Sequence, residues 1–120
     1  MNSMSIKEFA KHSGWNEEKI RNFLRERVLP YEKSNGKTYI IMDEISDDIK
    51  SCFGGLTTKA WKRLIPELPP YLLLDIFKER NVKSCGMIRK QKYYLKEDIL
   101  SALVEPLSDH EQIIVEALRR

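Results

Sequence analysis

The residues of this chain whose types and spacing could do chemistry are cations interleaved with aromatic rings. Arg89, Lys90 and Lys92 lie within four positions of one another, and Tyr93 and Tyr94 follow at once in the run IRKQKYYLK, Ile88 to Lys96. Guanidinium and ammonium groups around a turn suit phosphate oxygens, and a tyrosine beside them can stack on a base or lie against a sugar. Successive side chains of a strand alternate faces, so one tyrosine can close a core while the other faces out; Tyr94 is counted here with the contact residues. A second set lies earlier: with Ile20, Phe23 and Leu24 buried, the helical period leaves Glu18, Arg21, Asn22 and Arg25 on an outer face. Such groups bind; they do not by themselves make or break bonds.

Groups that could make or break bonds are poorly placed. His12 falls at a helix end and His110 in a capping segment, and neither has a cysteine or serine partner that spacing could justify. Cys52 and Cys85 have no matching histidine cluster, so no zinc site is expected, and both are expected as free thiols. Gly54-Gly55 lacks the lysine of a phosphate-binding glycine loop. The acidic pairs suit helix starts, where the dipole favours negative charge. The expectation is a protein without enzymatic activity, metal or cofactor.

The elements that would position these residues are short. Ser5 caps a helix over IKEFAKHS that Gly14 ends in the left-handed region, and Asn16 caps a second over EEKIRNFLRER. Tyr31–Lys33 and Thr38–Met42 can pair around Ser34-Asn35-Gly36-Lys37, and Asp43 opens a third helix with Ile45 and Ile49 inward. Beyond Gly54-Gly55, Thr57 or Thr58 caps KAWKRLI, and three prolines confine the next helix start to about Tyr71. The alternating KYYLK precedes a helix over EDILSALV, and Ser108 to Glu111 has capping-box spacing before a final amphipathic helix. Trp15 and Trp61 suit core packing.

At 120 residues, the chain is expected to form one compact domain or two small units sharing a core. No apolar run reaches membrane-spanning length and MNSMSIKEF has no apolar signal core, so a cytoplasmic, non-membrane protein is expected. The net charge of +3 is unevenly placed: residues 1–54 hold nine Lys/Arg against nine Asp/Glu, and residues 55–120 hold twelve against nine.

The halves also resemble each other. A shift of 54 places Ile20 on Leu74, Phe23 on Phe77, Val28 on Val82, Tyr39 on Tyr93, Ile41 on Leu95, Ile45 on Ile99 and Ile49 on Leu103. This predicts a structural duplication, with units at 1–54 and 55–104 and a C-terminal amphipathic helix at 105–120.

The segment GWNEEKIRNFLRERVLP (Gly14 to Pro30), followed by Asn35-Gly36 and by Asp43-Glu44-Ile45, resembles the winged helix-turn-helix of the MerR and excisionase families. The match covers residues 4 to 50 and returns in the second half at KYYLKEDI, Lys92 to Ile99. It implies a mainly α fold with small β-hairpin wings (α+β), in tandem divergent copies, and DNA as partner, duplex favoured over single strand. It further implies that the second helix lies in a major groove, with Arg21 and Arg25 near phosphates and Asn16, Lys19 and Asn22 near base edges or backbone. Glu17 and Glu18 depart from the neutral or basic residues usual there, and a solvated face with ion pairs is the alternative for this helix. At the wing position usually held by arginine, the first unit has Thr38 and the second Lys92. Lys33 and Lys37 are modest phosphate contacts, and Arg89, Lys90 and Lys92 are the stronger set.

The expected function is therefore DNA binding by a transcriptional regulator or a mobile-element accessory factor. The long dimerisation helix and effector domain of MerR activators have no room in these residues. The alternative is an adaptor subunit of a polymerase, recombinase or similar replication or recombination complex. It would dock through Tyr71, Leu72 and Leu73 and through Ile113, Ile114 and Leu118, touching nucleic acid only within the complex.

Overall fold

In the computed structural model, which describes residues 2–120 and only the backbone at Pro70, Ser5 ends one element and caps the next. It closes strand β1 (Ser3–Ser5), and its Oγ accepts from the Glu8 N–H (3.1 Å) at the start of helix α1 (Ile6–Ser13). The Glu8 carboxylate accepts in turn from the Ser5 N–H (3.2 Å), completing a capping box. Gly14, at φ 78°, ends α1 and donates its N–H to the Ala10 carbonyl (3.0 Å). Two residues on, the Asn16 side chain accepts from the Lys19 N–H (2.8 Å) and starts helix α2 (Glu17–Arg25). Trp15, between the helices, is buried edge-on to Phe23 (5.5 Å), Phe53 (5.5 Å) and Phe9 (6.3 Å). Each such aromatic pair contributes about 0.5–1.5 kcal/mol beyond its buried area, so this cluster fixes how α2 leaves α1.

Strands β2 (Tyr31–Ser34) and β3 (Lys37–Ile41) pair with Ser34 opposite Lys37, which leaves Asn35-Gly36 as a two-residue loop. Both have positive φ, 52° and 76°, as a type I′ turn requires. β1 pairs with the other side of β3, giving the antiparallel order β1-β3-β2 with Met4 opposite Ile40. The third helix starts later than expected. Asp43 lies in a single 3-10 turn (Met42–Glu44), the buried Ile45 is extended, and helix α3 (Asp47–Lys50) begins only after Ser46.

The second unit opens with an isolated bridge between Leu56 and Tyr94. Thr57 Oγ1 then accepts from the Ala60 N–H (3.3 Å) and caps helix α4 (Thr58–Leu64). Helix α5 (Pro70–Glu79), the hairpin β4 (Gly86–Ile88) and β5 (Gln91–Tyr93), helix α6 (Lys96–Ala102) and helix α7 (Asp109–Leu118) follow. The chain divides into Met1–Gly54 and Gly55–Arg120, each with its own buried residues. In the second unit Trp61, Leu73, Phe77, Ile99, Ile114 and Leu118 are among the residues of one apolar cluster. Helix α7 therefore belongs to this core, and residues 105–120 do not stand apart from the unit.

The backbone repeats as the side-chain pattern predicted. The left-handed residues Arg27, Asn35 and Gly36 recur 54 positions on as Asn81, Arg89 and Lys90. After α2, Val28 N–H donates to the Phe23 carbonyl (2.9 Å); after α5, Val82 N–H donates to the Phe77 carbonyl (3.0 Å). Upstream of α5 the offset becomes 52: Ser5 answers to Thr57, Phe9 to Trp61, and the Met4–Ile40 pair to the Leu56–Tyr94 bridge. The two-residue difference falls in the proline-containing segment between α4 and α5, which is why the similarity of the halves fades there.

Candidate functional site

In the first unit α2 and the hairpin converge on an open cleft of about 320 Å³. Arg21, Leu24 and Arg25 line it from the helix, Tyr31 and Lys33 from β2, and Thr38 from β3. Three cations, two from the helix and one from the hairpin, thus share one concave surface with an exposed tyrosine. Their positions are partly held: Arg21 pairs with Glu17 (3.1 Å), one turn earlier, and Arg25 donates to the Asn22 side chain. The Glu17 carboxylate that departs from the resembled pattern therefore orients an arginine at the cleft.

Asn16, Lys19 and Lys37, also expected as contact residues, do not line this cleft. Asn16 uses its Oδ1 as the helix cap, and Lys37 is an exposed residue at the start of β3. Lys19 lies over the rings of Phe23 (5.1 Å) and Trp15 (5.8 Å), and burial pushes its ammonium pKa down. Its ammonium group thus lies against the aromatic cluster.

In the second unit a groove of about 390 Å³ is lined by four exposed lysines. Lys59 comes from α4, Lys78 from α5, and Lys90 and Lys92 from the turn and the strand of the second hairpin. Leu74 and Gln91 also line it, and no carboxylate does among the described residues. The hairpin lysines were legible as a basic run. Lys59 and Lys78 were not, because 19 positions separate them and only the fold brings them to one groove. Ile88 opposes Gln91, so Arg89 and Lys90 form the whole loop, at φ 51° and 68°.

Tyr94 corrects the sequence expectation. It lies one residue beyond β5 and hydrogen-bonds to Leu56 through both its N–H (2.8 Å) and its carbonyl (3.0 Å). Its ring is buried against Phe77 (4.8 Å), and burial raises its phenol pKa. Tyr93 is buried as well, so neither ring of the pair is exposed for stacking. The bridge to Leu56 turns residue 94 into a core position, where simple alternation would have left one of the two outside.

The expected docking residues divide similarly. Leu73 and Ile114 are 0% exposed, Leu118 is buried with them, and Ile113 packs partly against the same core, so these do not form an outer surface. Their apolar faces are consumed within the unit because α7 folds onto it. Leu72 is half-buried, and Tyr71, at 67% exposed, remains outside. Trp15 and Trp61 are core residues as expected, with the Trp61 indole N–H donating to the Tyr94 carbonyl (3.1 Å).

Among the described residues, no cluster of His, Cys, Asp and Glu is gathered as a metal site, and no helix is long and apolar enough to cross a membrane. No family model, curated protein or solved structure matches the chain.

Proposed function

We propose that the chain is a non-enzymatic DNA-binding protein of two divergent winged helix-turn-helix units, acting as a transcriptional regulator or a mobile-element accessory factor. The observation that carries this reading is the cleft where Arg21 and Arg25 of α2 meet Lys33 of the adjacent hairpin. A helix and a hairpin that present cations to one concavity suit a duplex, whose phosphates flank a groove wide enough to admit a helix. The second unit repeats the order helix, helix, hairpin, helix and places four lysines, from α4, α5 and the hairpin, around one groove. Phosphate contacts supply affinity and register, and the polar residues of α2 supply what base discrimination there is.

Titrating the full chain against labelled random-sequence duplex and single-stranded DNA across salt tests this. Duplex binding that weakens linearly in log affinity against log salt, and that drops when Arg21 and Arg25 are both replaced by alanine, is the expected result. No binding to either probe at low salt overturns it.

A second reading, docking on a nucleic-acid enzyme, draws on the exposed Tyr71 and Leu74 of α5. Recovery of a stoichiometric protein partner from the native host, lost on Tyr71→Ala, would favour it over direct DNA binding.

A further inference from the structure

We infer that the groove of the second unit is a site for consecutive phosphates, completed by Lys59 and Lys78, and that the strained turn Arg89-Lys90 is kept to serve it. The inference deepens the DNA-binding reading and rests on it for the source of the phosphates. A free polyphosphate chain presents the same chemistry.

Four ammonium groups from three elements around one groove repel one another, and no carboxylate lining it offsets them. An anionic ligand with several charges removes that cost. Comparison of the two units sharpens the point: Lys78, Lys90 and Lys92 stand where the first unit has Leu24, Gly36 and Thr38. Three uncharged positions of one copy are thus cationic in the other, all on the same groove. Tyr94 also lines the groove, but its ring is only 7% exposed and packs on Phe77, so it presents no free face for stacking. Its chemistry is therefore that of a phosphate run and not of a stacked nucleobase.

The turn adds an independent observation. Asn35-Gly36, its counterpart, consists of the residues that adopt the left-handed region most cheaply, whereas Arg89 and Lys90 carry full side chains at φ 51° and 68°. A non-glycine pair in that conformation is disfavoured and persists where its side chains have a task. Lys90 lines the groove, and Arg89 precedes it in the loop.

The test uses the full chain with two probes: tripolyphosphate by calorimetry, and random-sequence duplex and single-stranded DNA by fluorescence anisotropy across salt. Lys59→Ala with Lys78→Ala, both exposed positions, should weaken tripolyphosphate binding several-fold and lower the duplex salt slope by about 1.8, at about 0.9 per phosphate contact. Arg89→Asn with Lys90→Gly should raise the melting temperature by a few degrees while weakening both probes. DNA binding with a slope unchanged by the Lys59 and Lys78 replacements overturns the groove and leaves the DNA-binding reading standing. Tripolyphosphate binding lost in that variant, in a chain that binds no DNA, supports the groove and overturns the DNA-binding reading. A variant turn that melts higher but binds as before shows that the strain does not serve the site.

Discussion

A buried carboxylate is tolerated where donors replace the water it loses, and Glu111 is met by three. Arg80 donates from Nε and from Nη2 (2.9 Å), and the Ser108 N–H donates at 2.8 Å. Arg80 also reaches the carbonyls of Val104 (3.0 Å) and Pro106 (2.8 Å), so one guanidinium ties the end of α5 to the segment leading into α7. The Arg80 hydrogen bonds hold the Glu111 pKa down to about 2, below its ordinary 4.5. The unfolded chain thus binds the proton more readily than the folded one. The contribution of Glu111 to stability is complete above about pH 4.5 and is lost as pH falls toward 2. Glu111→Gln is expected to melt lower than the native chain at neutral pH and to show a shallower loss of melting temperature between those two pH values, measured by circular dichroism. The capping role of Glu111 was legible from the Ser108 spacing. Its pairing with Arg80 was not, because the partner lies 31 residues away and is chosen by how α7 packs.

At the scale of elements, caps and turns were the most readable features. Ser5, Gly14, Asn16 and Asn35-Gly36 hold the positions their chemistry predicts, since each satisfies a local backbone need that does not depend on the rest of the fold. Gly14→Ala is accordingly expected to destabilise the first unit by about 1–2 kcal/mol through its positive φ, with Gly14→Asn costing less; urea unfolding of both variants checks the order. Elements held by pairing alone were invisible. β1 is Ser-Met-Ser, too short for its alternation to serve as a signal, and it exists because β3 offers an edge to it. The same pairing appears in the second unit as the single Leu56–Tyr94 bridge, and it is what drew Tyr94 inward. Arg21 and Arg25 on α2 and the basic run of the second hairpin were legible in sequence. Their meeting in clefts with Lys33 and with Lys59 required the fold.

For the molecule as a whole, the boundary at Gly54 was legible because the residue pattern repeats, and it separates a neutral unit from one that carries the full net charge of +3. The two cationic surfaces share no lining residue, so replacements in one leave the lining of the other intact. Combining the Arg21/Arg25 and Lys59/Lys78 alanine variants is expected to weaken binding more than either pair alone, and anisotropy titration of the three variants checks this. The two tryptophans supply the means to watch each half alone. Trp15 is buried at 2% exposure in the first unit and Trp61 at 6% in the second, and the chain has no others. Each indole is a native optical reporter of its own unit: emission from a Trp61→Phe chain follows the first unit, and emission from a Trp15→Phe chain follows the second. A red shift on unfolding, recorded separately in the two chains, would give each half its own melting curve without any added label.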